Sequence, residues 1–238
     1  MEEQFSRSTM LLGETATEKL KNSHVAVLGL GGVGSWCAET LCRTGVGELT
    51  LVDQDKVSVS NLNRQAGALW STVGMEKCQA MEQRLADINP NCILHPLSLR
   101  YEPDTREEFF AGNYDYIVDA IDLVSCKLDL IQTALERGIP IISALGTGNK
   151  LDSTQLAVAD ISKTQGCPLA RIIRKELRHR NIQHHKVVYS PEEAQEVLGS
   201  TDEAPPPGRR SIPASVMWVP AAAGLLLASE VVKDLINR

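Results

Sequence analysis

The sequence predicts an α/β fold: a doubly wound, mainly parallel sheet covered by helices on both faces, with antiparallel strands toward the C-terminal half. Three observations carry that expectation. Short apolar runs alternate with helical periods as far as Gln155; the first run, Val25 to Leu28, empties into Gly29, Gly31, Gly32 and Gly34; and the second, Leu49 to Val52, ends on Asp53. Strands alternating with helices are the pattern of parallel sheets buried on both faces. The 238 residues, 43% of them hydrophobic, suffice for one large core, and no linker divides them, so residues 1–238 read as a single domain.

The elements follow in order. After the strand from Val25 to Leu28, four glycines in six residues make a tight turn, and a helical period runs from Val33 to Thr44. A strand, a glycine turn and a helix N-terminus present backbone N–H groups and the positive end of the helix dipole to a phosphate. Asp53 closes the strand from Leu49 to Val52, nineteen residues past Gly34, where an acid takes both hydroxyls of a ribose. Together these make the fold Rossmann-like. Further strands are expected at Ile93 to Leu97, Tyr116 to Val118, Ile139 to Ala144 and Gln155 to Asp160, and further helices at Val73 to Ile88, Arg106 to Phe110, Ser125 to Arg137 and Pro168 to Arg178. Past Gln155 the alternation breaks, which predicts antiparallel strands, one of them near Lys186 to Tyr189.

Glycines and a ribose acid fit NAD and ATP alike. The cluster that follows, Asn61, Asn63, Arg64 and Gln65, and then Lys77, discriminates between them. A dinucleotide needs a second strand-helix-strand unit for its other half, and fixed cations so close behind the ribose acid do not serve it. Beside a triphosphate they do: arginine forks two phosphate oxygens, and lysine offsets charge growing on departing pyrophosphate. Singly, Arg64 and Lys77 read as solvated charges; their joint spacing points to ATP.

The net charge of −6 argues against a surface that grips nucleic acid everywhere. One segment departs from it. Between Arg171 and Lys186 six lysines and arginines face one acid, Glu176, and Arg171, Arg174, Lys175 and Arg178 share a helix face at i, i+3, i+4 and i+7. A solvated face or an RNA backbone satisfies such a row equally on charge alone. The six cysteines are scattered without a CxxC pair, which gives no support to a cysteine-bound zinc. With no signal sequence, they suit a reducing cytoplasm. Cys167 stands before a basic helix whose N-terminus favours a thiolate, yet no His or acid neighbours it in sequence, so a structural role is the better reading. Ser211 to Ser229 is uncharged, but Pro213 and Pro220 interrupt it. A buried or dimer-interface helix over about 220–237 is therefore favoured over membrane association. The preceding stretch, about 199–211, reads as a mobile loop.

This array resembles the ThiF-like adenylating superfamily, which includes ubiquitin-activating enzymes and bacterial activators of sulfur-carrier proteins. The resemblance spans almost the whole chain. It implies that Gly29, Gly31, Gly32, Gly34, Asp53, Asp55, Asn61, Arg64, Gln65, Lys77 and Asp122 bind ATP. It also implies that Asp122, in YDYIVDAIDLVSCK, holds Mg2+, and that Arg7, in FSRSTMLLG, reaches across a homodimer into the partner's site. Arg64, Lys77, Asp122 and Arg7 would then be catalytic. The run SALGTGNKLDSTQLAVADISKTQGCPLARIIRKELR, with VPAAAGLLLASEVVKDL near the end, looks like the tRNA threonylcarbamoyladenosine dehydratase branch. That branch activates the threonyl carboxylate of a modified adenosine beside the anticodon with ATP, then closes it on its own carbamoyl group. Arg171, Arg174, Lys175 and Arg178 would meet the tRNA, and Thr147, Asn149 and Lys150 are further candidates to meet the substrate. The alternatives are adenylation of a ubiquitin-like sulfur-carrier protein, an adapter for tRNA or a cysteine desulfurase system, and, more remotely, hydride transfer.

Overall fold

The computed structural model describes residues 3–201 and 212–237. Seven strands form one sheet in the order β3-β2-β1-β4-β5-β7-β6: β1 His24–Leu28, β2 Glu48–Val52, β3 Ile93–Leu97, β4 Tyr116–Asp119, β5 Ile141–Ala144, β6 Ala157–Asp160 and β7 Lys186–Tyr189. Among the described residues eight α-helices accompany it: α1 Ser6–Leu12, α2 Glu14–Lys21, α3 Gly34–Thr44, α4 Lys77–Ile88, α5 Arg106–Phe109, α6 Val124–Glu136, α7 Pro168–His179 and α8 Trp218–Ile236. The doubly wound expectation holds. The antiparallel pairing expected past Gln155 is present: β7 pairs antiparallel with β6, and parallel with β5 on its other side.

Two expectations need correction. The helix expected from Val73 begins at Lys77, because Gly74 adopts φ 89° and a short 3-10 turn, Trp70–Thr72, precedes it. Left-handed backbone cannot continue an α-helix. The strand expected from Ile139 begins at Ile141, after Pro140. Most of the expected loop at about 199–211 lies outside the described residues.

The central strands are buried on both faces, as their unbroken apolar runs require. One core cluster joins β1 and β2 to α3, α4 and α8 through Val25, Val27, Leu41, Leu49, Leu85, Leu227 and Val231. Another joins β4 and β5 to α5, α6 and α7 through Ile117, Phe109, Ile131, Ile141 and Ile173. Of the uncharged segment, Ser211 lies outside the described residues; the segment's C-terminal part belongs to α8, which lies in the first core, with Ala223, Leu227, Ala228 and Val231 fully buried. No described helix is long and apolar enough to cross a membrane. At Gly224 a Cβ would meet Val33 O at 2.4 Å and Cys37 N at 2.9 Å, so α8 rides directly on the backbone of α3.

Gly224→Ala would ordinarily stabilise a helix interior by about 1 kcal/mol. Here the expected outcome of urea unfolding is a loss of roughly 1–3 kcal/mol, from overpacking of α3 against α8.

Candidate nucleotide site and its support

Between β1 and β4 the winding of the sheet reverses direction, and a ligand crevice opens beyond the carboxyl ends of the strands at such a point. The glycine loop fills this edge. Ala120 N donates to Leu28 O at 2.8 Å, and a Cβ on Gly29, whose φ is 87°, would lie 2.6 Å from Ala120 O. A Cβ on Gly34 would lie 1.8 Å from Gly29 O, so the helix start is folded tightly onto the strand end. Gly31 differs: a Cβ there would meet nothing within 4 Å. The loop is thus packed on its inner side and open where a ligand approaches, which fits a phosphate cradle.

Asp53 buttresses the loop. Its Oδ2 accepts from Leu30 N at 2.7 Å and its Oδ1 from Asp55 N at 2.9 Å. Burial raises its pKa, against the pull of Lys77. Lys77 Nζ, nearly buried at the start of α4, lies 2.9 Å from Asp55 Oδ2 and 3.7 Å from Asp53 Oδ1. The structure therefore makes Asp55 the ion-pair partner of Lys77. Arg64 is fixed by its NH1 on Ser60 O and on Asn63 Oδ1, each at 2.8 Å, while Trp36 Nε1 donates to Arg64 O at 2.9 Å. The Arg64 stem lies over Gly32. Ser35 Oγ accepts from Ala66 N at 3.0 Å and donates to Gly31 O at 2.6 Å, which staples the 64–66 segment to the loop. Asn61 Oδ1 accepts from Ser58 N. The Asn61 NH2 and the Gln65 side chain, on buried residues, make no hydrogen bond among the described residues, so polar capacity remains here for a ligand.

Beneath the crevice lies a fully buried network that sequence reasoning missed. Lys127 Nζ donates to Asp119 Oδ2 at 2.6 Å and to Ala144 O at 3.2 Å, and both charged side chains are 0% exposed. Ser143 donates to the same carboxylate at 2.6 Å, so the 2.7 Å contact between Ser143 Oγ and His185 Nε2 has the imidazole N–H as donor. Asp119 Oδ1 accepts from Ile121 N at 3.0 Å, and this bond shapes the turn that carries the exposed Asp122. The available signal was an acid that ends an apolar strand eight residues before a lysine on the buried face of a helix.

Other expected residues fall elsewhere. Arg7 is exposed on α1 and makes no hydrogen bond or ion pair among the described residues. Phe5, two residues before it, lies against Gly45, at the far end of α3 from the glycine loop. Lys150 is buried and donates to Ser190 O and Glu192 O, tying its loop to the segment after β7, and burial lowers its pKa. Asn149 has φ 57°, and its Oδ1 is buried without a partner among the described residues. Cys167 caps α7, its sulfur accepting from Ala170 N at 3.5 Å and sitting where a Cβ on Gly146 would be. On α7, Ala170, Ile173 and Leu177 face the core. Arg171, Lys175 and Arg178 are exposed and unpaired among the described residues, whereas Arg174 donates to Thr164 O and Oγ1. The row of four cations is thus a row of three.

The model of the ThiF family matches residues 5–238. The chain belongs to the ThiF family. Among relatives of this ThiF-family chain, the tRNA threonylcarbamoyladenosine dehydratase of Bacillus subtilis is 43% identical, over 98% of this chain and 95% of that protein. The crystal structure of Escherichia coli tRNA N6-threonylcarbamoyladenosine dehydratase in complex with ATP superposes with a TM-score of 0.88 at 33% identity, covering 98% of this chain and 94% of that one. The complex of the same E. coli protein with AMP superposes equally well, with a TM-score of 0.88 at 32% identity. The resemblance to this branch is thereby borne out.

Two measurements probe the buried network. Lys127→Met would strand the Asp119 carboxylate, and urea unfolding is expected to show a loss of about 3–5 kcal/mol. Burial, reinforced by Lys127, pushes His185 from its ordinary value of 6.5 down to about 3. The unfolded chain therefore takes up this proton first, so stability is full above the unfolded value and falls as pH drops toward the folded one. His185→Gln should flatten the decline of unfolding free energy between about pH 6.5 and pH 4.5, a slope of at most about 1.4 kcal/mol per unit.

Proposed function

We propose that this chain is an ATP-dependent tRNA threonylcarbamoyladenosine dehydratase, converting the threonylcarbamoyl side chain of a modified adenosine into a ring with net loss of water. The observation that carries the reading is the gathering of Asp53, Arg64 and Lys77 around a glycine loop that is packed inside and open outside, in a chain 43% identical to a B. subtilis protein of that name. The glycine loop would hold the phosphates and Asp53 the ribose; its oxygens keep lone pairs beyond those given to Leu30 N and Asp55 N.

Hydroxide is a poor leaving group from a carboxylate, so the acid is activated before the ring closes. Arg64 and Lys77, already oriented by Trp36, Asn63 and Asp55, would offset the charge that develops on the departing phosphate. Asp122, on a turn shaped by Asp119, suits Mg2+, which keeps most of its waters and needs one or two carboxylates beside substrate phosphates. Bound there, the ion would neutralise polyphosphate charge. Ring closure is intramolecular and gains from positioning alone, so no covalent cysteine is invoked, in keeping with the inward, capping Cys167. Arg171, Lys175 and Arg178 would meet tRNA phosphates, on a helix that starts beside Gly146 at the end of β5. The unpaired Arg7 fits completion of a second copy's site in a homodimer, in the cytoplasm. Sulfur-carrier adenylation is the second reading, favoured by the shared fold alone.

Incubation of the protein with ATP, Mg2+ and tRNA bearing threonylcarbamoyladenosine should give a nucleoside lighter by one water in mass spectrometry. Lys77→Ala should slow this by roughly 100-fold or more, and Arg178→Glu should weaken tRNA binding and flatten its salt dependence. Pyrophosphate exchange driven by a carrier protein and indifferent to tRNA would replace this reading with the second one.

A further inference from the structure

At the opposite end of the sheet, three side chains from three adjacent strands converge. His24 opens β1, Glu48 opens β2 and His95 lies on β3; the register sets His24 beside Glu48 and Thr50 beside His95. Residues two apart on a strand share a face, so all four project to the same side. His24 Nδ1 is 3.5 Å from Glu48 Oε1, and His95 Nε2 is 2.7 Å from the same oxygen. The ligand atoms of the three residues all lie within 4.8 Å of one another. We propose that His24, Glu48 and His95 form a site for a divalent transition metal ion of the zinc type, remote from the nucleotide crevice, with water completing the coordination.

The donor set suits the ion. Two imidazoles and one carboxylate with an open position form a ligand set that Zn2+ accepts, and imidazole equally serves Co2+ and Ni2+. The first ring is held for the purpose: His24 Nε2 lies 2.8 Å from Thr50 Oγ1, and Tyr114 packs edge-on against it with ring centroids 5.0 Å apart. In the tautomer whose Nε2 proton is donated to Thr50 Oγ1, the lone pair resides on Nδ1, facing Glu48.

Space and spacing also fit. An open cleft of about 640 Å³, lined in part by Asn22, Tyr114 and Asp115, gives water access to the three ligands. Tetrahedral bonds of about 2.0–2.2 Å place ligand atoms roughly 3.3–3.5 Å apart. The His24–Glu48 pair already has that spacing at 3.5 Å. His95, with a side chain 48% exposed on the edge strand, needs to withdraw by only about half an ångström, exchanging its hydrogen bond for a metal bond. A surface His95–Glu48 hydrogen bond would explain one imidazole; the site adds a second ring whose Nδ1 faces the same oxygen. The five residues of β1 put this site about 17 Å from the glycine loop.

The test is a Co2+ titration followed by visible absorption, in excess Mg2+ to occupy Asp122, together with thermal unfolding in Zn2+. One Co2+ per chain and a rise in Tm with Zn2+ are expected. His95→Ala and Glu48→Gln should each weaken Co2+ binding at least about tenfold, and Thr50→Val, which removes only the hydroxyl that orients His24, by about 10–100-fold. Asp122→Asn should leave the affinity unchanged, and His95→Ala should retain ATP-dependent activity on tRNA. Absence of Co2+ binding by the folded wild-type protein, or equal affinity in the wild type, His95→Ala and Glu48→Gln, would overturn the proposal.

Discussion

The buried ion pair between Asp119 and Lys127 joins the ends of β4 and β5 to the first turn of α6, at the edge where the strand order reverses. Removing both charges from water costs several kcal/mol per ion, and apolar residues would cover the same volume at less cost. What the pair supplies is direction. Asp119 accepts three donors, from Lys127, Ser143 and Ile121 N, while His185 in turn anchors Ser143, and this fixes the turn that follows the strand. That turn brings Ala120 O against Gly29 and carries Asp122 to the surface. The glycine loop and the acid beside it are set by a network that neither of them belongs to.

The cations of the crevice are restrained in the same spirit. Lys77 rests between two carboxylates, and Arg64 is held by its own segment and by Trp36. A charge already oriented needs little rearrangement when charge develops on a bound group, which is the main electrostatic advantage of an enclosed site over water. The acids around Lys77 also offset a cation that would otherwise be costly to hold in a nearly buried position.

The sequence made the centre of the sheet legible because β1, β2 and β4 are short apolar runs closed by glycine or an acid. The glycine loop, Asp53, Arg64 and Lys77 were legible by spacing, and the structure brings them together. What escaped were features set by partners distant in sequence. Nothing local reveals that Asp119 meets Lys127, that Lys150 is turned inward to Ser190 and Glu192, or that Arg174 is committed to Thr164. That β7 also pairs parallel with β5 escaped for the same reason, since it depends on which strand lies beside it. Helical periodicity also overreached at Val73, where the left-handed backbone of Gly74 overrules it.

The seat of α8 on α3 has a consequence for how the protein is made. Every strand of the sheet and the helix that follows the glycine loop precede α8 in the chain, so a ribosome completes them while the Cys37 and Leu41 side of α3 still lacks its lid. Through that interval an apolar surface lies open to wrong neighbours, and the loop lacks Pro220, which later rests against Gly32. The nascent chain thus acquires its nucleotide-binding elements early and its competence late.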